Sequence, residues 1–296
     1  MTRRFVTLDV FTTLKHAGNP LAVVLDSEGL DSQAMQVIAQ EFNLSETVFV
    51  APPAQAGHRA AIRIFTPGRE LPFAGHPTVG TAVLLALRDA AAGKAGDILV
   101  LEEKVGLVPC AVSVTGTGAG RAVFTLPRLP EEILPTGDIA LLAGALGLDK
   151  RDIGFDQHVP SVFSAGVGFT FLPVSGLETM GRISIDTAQM KAAGNPSVFA
   201  YCRQEPESGH DFRARMFAPS MGIVEDPATG GAVAAFAGAI MRFERPGDGE
   251  HRLVVEQGYE MGRPSQITLE LTVKEGALVS ARIGGSAVTV SEGVLL

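Results

Sequence analysis

The sequence predicts an α+β protein built from two similar half-domains, each with a curved, mostly antiparallel sheet wrapped around a central helix. Three features of the 296 residues favour this fold class over a doubly wound sheet. Short runs that alternate apolar and polar residues outnumber the helical runs, and such alternation is typical of strands with one buried face. Two apolar helices contain no charged residue, as expected of helices that are buried on all sides. Several motifs also recur at a fixed spacing, which indicates an internal duplication.

The strand and helix patterns are spread over the whole chain. Strand alternation is clear at 59–65, 97–101 and 266–271. Helix start signals include Asp31 or Ser32 as an N-cap residue, and a proline in the first turn of the second helix. Helices are predicted at 31–42, 77–88, 138–146, 187–193 and 230–243, and the uncharged central ones cover 78–87 and 232–241.

The duplication rests on two motifs that occur in the same order in each half. Asn-Leu-Ser at 43–45 is matched by Asn-Pro-Ser at 195–197, and Arg-Ile-Phe-Thr-Pro at 63–67 by Arg-Met-Phe-Ala-Pro at 215–219. Both pairs are 152 positions apart. Two half-domains that face each other across a cleft are therefore expected.

The boundary between the halves is predicted from a proline-rich run. The turns that open the two apolar helices, at 70–76 and 225–231, are 155 positions apart, so the second loop is slightly longer. Between the halves, three prolines at 126–135 interrupt both helix and strand, which is typical of a linker. The predicted half-domains are 1–128 and 129–296, and the extreme C-terminus is allowed to pack back on the first.

Composition excludes several classes of function. The net charge of -8 and the scattered Lys and Arg residues argue against a nucleic-acid surface, which needs clustered basic side chains. Asp9 precedes any apolar targeting segment, and no apolar run approaches the roughly 20 residues of a membrane span, so a cytoplasmic protein is expected. Cys110 and Cys202 are expected to be buried. Neither metal-ligand spacing nor a nucleotide-binding glycine pattern is present in the sequence, so no metal and no cofactor are predicted.

The candidate catalytic residues are found where the duplication fails. Glu46, His76 and Asp226 correspond to a valine, a glycine and a leucine in the opposite half. Each stands near the end of an element, and the duplication would place all three around one central cleft. Burial would lift the pKa of a carboxyl such as Glu46 toward neutrality, and a helix start would lower that of His76. A surface glutamate, a capping histidine and a turn-forming aspartate remain the alternative interpretations.

In order along the chain, the motifs resemble the PhzF-like family, which is named for an isomerase of phenazine biosynthesis. The resemblance covers most of the chain, from the N-terminus to about Phe236, and implies the fold of diaminopimelate epimerase. The motifs are Asp-Val-Phe at 9–11, Gly-Asn-Pro-Leu-Ala-Val-Val at 18–24, Asn-Leu-Ser-Glu-Thr-Val-Phe at 43–49, Phe-Thr-Pro at 65–67, Glu-Leu-Pro-Phe-Ala-Gly-His-Pro-Thr at 70–78 and Glu-Asp-Pro-Ala-Thr-Gly at 225–230.

The resemblance implies a role for each candidate residue. Glu46 would move the proton, and His76 and Asp226 would support it. Asn19 would close the cleft beside the substrate, although Gly-Asn-Pro is equally ordinary turn chemistry. Backbone amides at the two helix starts are expected to hold anionic groups. The expected substrate-binding residues are Asn19, Ser45, Gly75, Thr229, Gly230 and Gly231.

Two departures from related sequences restrict the chemistry. Related epimerases carry opposed cysteines at the positions of Ala74 and Thr229, so a two-cysteine racemisation is excluded here. The family's isomerase has a serine where this chain has Gly231, which leaves the substrate open.

The resulting hypothesis is a cofactor-independent isomerase that moves a proton within a small anionic organic substrate. The resemblance also suggests a homodimer. Two alternatives remain at this stage: an epimerase or racemase of an amino-acid-like substrate, and a non-catalytic protein that binds small molecules.

Overall fold

The computed structural model describes residues 2–94, 96–133 and 137–296, which form a mixed, sheet-dominated fold with few helices. The chain divides into two compact units, Met1–Pro127 with Gly284–Leu296, and Arg128–Ile283. Residues 284–296 thus belong to the first unit; the boundary drawn from the sequence places them in the second half-domain but allows the extreme C-terminus to pack back on the first. The predicted linker at 126–135 lies partly outside the described residues.

The first unit consists of a mixed sheet in which antiparallel pairs predominate. Its strands are β1 (Arg3–Val10), β2 (Asn19–Val24), β3 (Glu46–Ala51), β4 (Ala60–Phe65), β5 (Glu70–Leu71), β6 (Ile98–Glu103), β7 (Gly106–Gly116), β8 (Ala119–Thr125) and the part of β17 (Ala277–Leu295) that follows residue 283. β2 and β3 pair in parallel, as do β4 and β6. The pairs β1–β2, β3–β4, β6–β7, β7–β8 and β1–β17 are antiparallel.

Two helices belong to this unit. The first, α1 (Ser32–Phe42), begins as predicted, because the Asp31 side chain caps it by accepting a 2.8 Å hydrogen bond from the amide of Ala34. The second, α2 (Gly75–Ala91), starts two residues before the predicted 77. Residues 75–86 of α2 are all buried, and the helix packs against β1, β2, β3, β6, β7 and β8.

The second unit repeats this order of pairings. Its elements are β9 (Glu131–Glu132), α3 (Ile139–Ala145), β10 (Ser161–Ser164), β11 (Gly168–Pro173), α4 (Leu177–Arg182), α5 (Thr187–Ala192), β12 (Val198–Arg203), β13 (Phe212–Ala218), β14 (Ile223–Asp226), α6 (Gly230–Phe243), β15 (Gly249–Gln257), β16 (Ser265–Lys274) and the start of β17. The pairs β11–β12 and β13–β15 are parallel, whereas β10–β11, β12–β13 and β15–β16 are antiparallel.

The spacing of the sequence motifs recurs in the starts of the elements. β3 begins at Glu46 and β12 at Val198, 152 positions later. α2 begins at Gly75 and α6 at Gly230, 155 positions later. The antiparallel pair β3–β4 thus precedes α2 and the antiparallel pair β12–β13 precedes α6, and the two halves are offset by the spacing of the sequence motifs.

Aromatic packing holds α6 in the second unit. The Phe236 ring lies 4.7 Å from that of Tyr201, 5.1 Å from that of Phe212 and 5.5 Å from that of Phe171, measured between centroids. Burial of such a side chain contributes about 1.5–3 kcal/mol, so this cluster fixes the position of the helix on its strands.

Burial also accounts for the two cysteines, since Cys110 and Cys202 are both free and buried, as predicted. Desolvation raises the pKa of each thiol to about 12, which keeps both in the unreactive protonated form. In the described part of the chain, no helix is both long enough and apolar enough to cross a membrane.

Candidate active site

Glu46 and His76 come together inside the first unit. Asn43, which ends α1, adopts a left-handed conformation with φ of 50°, so the chain turns there and enters β3 at Glu46. His76 is the second residue of α2. Its Nδ1 lies 3.3 Å from Oε2 of Glu46, and the two side chains are 5% and 14% exposed. The structure thus pairs the predicted proton carrier with the predicted histidine.

The imidazole of His76 is neutral near pH 7. Burial lowers its pKa from 6.5 to about 3, because the charged ring would lose its hydration. The contact with Glu46 therefore joins a neutral ring and a carboxyl group and is not an ion pair. The direction of the shift agrees with the expectation from the sequence, but its cause is burial.

The second ring nitrogen of His76 is left for a ligand. Nε2 is buried and has no hydrogen-bond partner among the described residues. A neutral imidazole carries one N–H donor and one lone pair, so Nε2 suits a hydroxyl or carbonyl group of a bound molecule. An unsatisfied buried polar atom also costs stability, which is typical of a site completed by its ligand.

An ion pair holds the turn that precedes α2. Arg63 donates from Nε and Nη2 to the two carboxylate oxygens of Glu70, at 2.8 and 2.9 Å. The ring of Phe73 packs edge-on against that of Phe124, with 5.4 Å between centroids. This pairing of charge and aromatic contact anchors both ends of the turn, so that Gly75 and His76 are presented at a fixed place.

In the second unit, Asp226 and Thr229 form a different polar pair. Asp226 is buried at the end of β14, and its Oδ2 accepts a 2.6 Å hydrogen bond from the Thr229 hydroxyl. Gln257 braces both residues: its Nε2 donates to the Asp226 carbonyl at 2.7 Å and to Thr229 Oγ1 at 3.0 Å. Its Oε1 accepts a 3.0 Å bond from the Thr229 amide. The turn before α6 is therefore fixed through a single buried amide side chain.

Glycine is required at position 258, immediately after Gln257. Gly258 has φ of +79°, and a Cβ there would lie 2.3 Å from the carbonyl oxygen of Arg263 and 2.6 Å from that of Pro227. The sequence interpretation did not include Gln257 or Gly258. The available signal was a Gln-Gly pair directly after a strand pattern.

Glycines stand at the starts of both apolar helices. Gly75 and Gly230 are the first residues of α2 and α6, where backbone amides lack intrahelical partners. At Gly231, an added Cβ would meet only the Phe169 ring, at 4.0 Å. This position has room for the serine that the resemblance leads one to expect.

Asn19 and Ser45 lie on neighbouring segments of the first unit. Asn19 is fully buried at the start of β2, and Ser45 is half-buried next to Glu46. Gly18 has φ of +63°, and a Cβ there would come within 2.3 Å of the Val10 carbonyl oxygen, so only glycine fits before Asn19. The chain thus bends at Gly18 and enters β2 directly, with Asn19 and Pro20 as the first two residues of the strand.

The described contacts group the predicted residues into two sets, one in each unit. Glu46 and His76 touch in the first, and Asp226 and Thr229 touch in the second. Within the described ranges no group of three or more His, Cys, Asp or Glu side chains is arranged to hold a metal ion.

Comparison with known proteins gives the family. The family model for phenazine biosynthesis-like proteins matches residues 8–293. A protein of Mesorhizobium japonicum named as an uncharacterized isomerase is 53% identical, with 99% of each chain covered. The trans-2,3-dihydro-3-hydroxyanthranilate isomerase of Pseudomonas aeruginosa is 34% identical, with 98% of each chain covered.

A solved structure agrees with these sequence matches. The crystal structure of a PhzF-family phenazine biosynthesis protein from Bacillus anthracis is similar at a TM-score of 0.86 and 28% identity, covering 100% of this chain and 99% of that one. The chain therefore belongs to the phenazine biosynthesis-like protein family, and within that family it is an isomerase.

Proposed function

We propose that this chain catalyses a cofactor-independent isomerisation in which Glu46 moves a proton within a small carboxylate-bearing metabolite. The observation that supports this most strongly is the 3.3 Å contact between the Glu46 carboxyl and the ring of His76. A carboxyl group in hydrogen-bond reach of a buried neutral imidazole is an arrangement suited to general acid–base catalysis.

The proposed step conserves atoms and electrons within the substrate. The Glu46 carboxylate takes a proton from one carbon, and the C–H electron pair enters the conjugated system. The Glu46 O–H then returns the proton to a second carbon, so no bond to the enzyme forms and no oxidant is needed. Neutral His76 orients the carboxyl through Nδ1 and hydrogen-bonds the substrate through Nε2.

The substrate's carboxylate is proposed to bind at backbone amides. The amides of Gly75 and His76 open α2, and those of Gly230 and Gly231 open α6. Free N–H groups and the helix dipole both favour an anion at such a helix start. This explains how a protein with a net charge of -8 would bind an acid. We assign supporting roles in substrate binding to Asp226, Thr229, Asn19 and Ser45.

Two observations support the proposed substrate class: the name of one relative and one local difference. The Pseudomonas aeruginosa relative is named for trans-2,3-dihydro-3-hydroxyanthranilate, a small amino acid with a conjugated ring. We propose a substrate of this type that is bound without a hydroxyl donor at Gly231. A single acid/base acting on one face of the substrate is favoured over epimerisation, because Ala74 and Thr229 offer no second titratable group.

Two further features belong to the same proposal. The matched strand pairings and helix starts support two pseudo-symmetric half-domains, each with a sheet around a central helix. We also propose a homodimer; light scattering at micromolar concentration should give twice the chain mass, and a monomer would contradict it.

The test is substitution of Glu46 by Gln, assayed with trans-2,3-dihydro-3-hydroxyanthranilate. Glu46→Gln keeps the side-chain volume but removes the titratable group, so kcat should fall by at least about 100-fold while folding is retained. Glu41→Gln, at an exposed glutamate of α1, is the matched control and should leave kcat unchanged. Activity of Glu46→Gln within about tenfold of the parent would exclude the assigned role.

A further inference from the structure

A buried glutamate, Glu103, contacts the first turn of α2. Glu103 is the last residue of β6 and is 8% exposed. Its Oε1 is 2.8 Å from the hydroxyl of Thr78, which lies in the first turn of α2. Its Oε2 is buried and has no hydrogen-bond partner among the described residues. A carboxyl group in such surroundings needs an explanation, because burial of an unpaired charge is very costly.

The hydrogen bonds of Thr78 indicate the protonation state of Glu103. Thr78 Oγ1 is 2.8 Å from Glu103 Oε1 and also 2.8 Å from the carbonyl oxygen of Ala74. A hydroxyl has one proton to donate, so it can serve only one of two acceptors. Both contacts are satisfied if Glu103 is protonated, because the acid then donates to Thr78 and Thr78 donates to Ala74.

The carbonyl of Ala74 matters because of the amide attached to it. It also accepts the Thr78 backbone N–H at 3.3 Å. The peptide unit is planar, so a carbonyl held by two bonds fixes the direction of the Gly75 N–H in the same unit. The Gly75 N–H is one of the donors proposed to bind the substrate's carboxylate.

Gln257 has the matching place in the second unit. The register pairs Ala61 with Glu102 and Arg213 with Glu256, so Glu103 and Gln257 each follow the corresponding strand position by one residue. Gln257 is a neutral donor that braces the turn before α6 through Thr229. A protonated Glu103 is likewise a neutral donor.

We propose that Glu103 is a positioning residue that works as a neutral acid, donating to Thr78 and thereby fixing the Ala74–Gly75 peptide at the start of α2. Its effect on turnover rests on the proposed function. Its protonation state and its effect on Gly75 do not, and they are tested separately.

Burial, rather than a neighbouring charged group, determines the protonation state of Glu103. Burial raises its pKa from 4.5 to about 8, and the Thr78 contact only partly opposes this. Cys110 on β7 is a neutral thiol. Four titratable groups on β4, on α2 or next to Glu103 have other partners. Arg63 and Lys104 pair with Glu70, Asp89 pairs with Arg59, and His76 faces Glu46.

The first test measures stability against pH. The carboxyl is ionised above about pH 4.5 in the unfolded chain but only above about pH 8 in the folded one. Folding is therefore disfavoured progressively as pH rises through this window. Relative to the parent, the folding constant of Glu103→Gln should rise roughly tenfold per pH unit between pH 5 and 8. Glu41→Gln should track the parent. A ratio independent of pH for Glu103→Gln would overturn the proposal.

The second test follows the Gly75 amide by ¹⁵N NMR. In the parent its shift should titrate with a midpoint near the pKa of Glu103, about 8, and the transition should be lost in Glu103→Gln. A Gly75 signal that titrates identically in both proteins, or in neither, would overturn the link through Thr78.

The third test asks whether the link serves catalysis. Glu103→Leu keeps a similar side-chain volume but removes the hydrogen-bond donor, and should lower kcat roughly tenfold. Glu103→Gln keeps a donor, so its kcat should be within about twofold of that of the parent. The parent's kcat should decline above about pH 8, where Glu103 ionises, and Glu103→Gln should lack this decline. Equal kcat in all three proteins would overturn the positioning role. If the parent itself has no isomerase activity, the proposed function fails, while the stability and NMR tests still decide the state of Glu103.

Discussion

The turns before α2 and α6 share a framework of charge pairing. Arg63 donates two hydrogen bonds of 2.8 and 2.9 Å to the Glu70 carboxylate, and Arg215 donates two of 2.8 Å to the Glu225 carboxylate. In each case the guanidinium also lies over the phenylalanine two residues further along the strand, 5.1 or 5.2 Å from the ring centroid. Both turns are thus tied to the preceding strand in the same way.

The same two turns present different chemistry. The first places the neutral ring of His76 against Glu46, whereas the second has Gly231 in the corresponding place and a carboxyl, Asp226, bonded by a threonine. The residues that build the two turns are therefore shared, whereas the polar groups that we propose to act on a substrate differ. Variants of the first set should change mainly stability, and variants of the second set should change mainly turnover or its protonation chemistry.

The largest expected effect is the pH dependence of stability due to His76. Its folded pKa of about 3 lies below the unfolded value near 6.5, so the unfolded chain binds the additional proton between these values. The contribution of His76 to the free energy of unfolding is fully present above pH 6.5. As pH falls toward 3, up to about 5 kcal/mol of it is lost. His76→Asn should flatten this slope in denaturant unfolding, and an unchanged slope would contradict the neutral buried ring.

The two arginine forks should differ in energetic weight. The Arg215 side chain is 10% exposed and also donates to two backbone carbonyls at the end of α4, whereas the Arg63 side chain is 36% exposed. Arg215→Met should therefore cost about 3–5 kcal/mol, as expected when one partner of a buried pair is removed. Arg63→Met should cost about 1 kcal/mol, as expected of a partly exposed pair. Equal losses in urea unfolding would show that burial does not set the difference.

Removal of the His76 ring should impair turnover more than ligand binding. His76→Ala should lower kcat roughly 100-fold and change KM by less than about tenfold, because the ring orients the acid/base group. Gly231→Ala alters the matched position of α6, where a Cβ has room and the backbone amide is kept, and should leave kcat within about threefold. A His76→Ala enzyme that loses binding and keeps kcat would reverse the assignment.

The smallest effect separates steric need from backbone conformation at two glycines. Gly258 and Gly222 both have φ of +79°, but only at Gly258 would a Cβ meet carbonyl oxygens, whereas nothing lies within 4 Å at Gly222. Gly222→Ala should cost about 1 kcal/mol for the left-handed backbone alone. Gly258→Ala should cost at least about 2 kcal/mol. Similar thermal shifts for both would show that the turn before α6 relaxes around the added methyl group.

Much of the fold could be predicted from the sequence because its signals are local. Asp31 caps α1 as predicted, α3 lies within the predicted 138–146, and α6 has the predicted bounds. The helix α4 was missed because it has six residues and begins after Gly176 without a side-chain cap. α2 starts earlier than Pro77 suggests because its first turn is buried, and the helix packs against strands of the first unit.

Only part of the candidate site could be predicted from the sequence. Glu46 and His76 could be found because they break the repeat. Glu103 and Gln257 could not, because their importance depends on contacts with residues 25 and 31 positions away, Thr78 and Asp226, which no local pattern encodes. Residues at strand ends acquire such roles only when the sheet brings them under a helix start.

The most direct test of proton transfer by Glu46 is deuterium incorporation. In D₂O, the Glu46 O–H exchanges with solvent between the two proton transfers. The parent enzyme should therefore convert the proposed substrate, trans-2,3-dihydro-3-hydroxyanthranilate, to a product with deuterium at the newly protonated carbon, detected by ¹H NMR and mass spectrometry. Glu46→Gln should bind the same compound but incorporate deuterium at least about 100-fold more slowly, and Glu41→Gln should match the parent. Incorporation by Glu46→Gln at a rate within about tenfold of the parent would contradict the account.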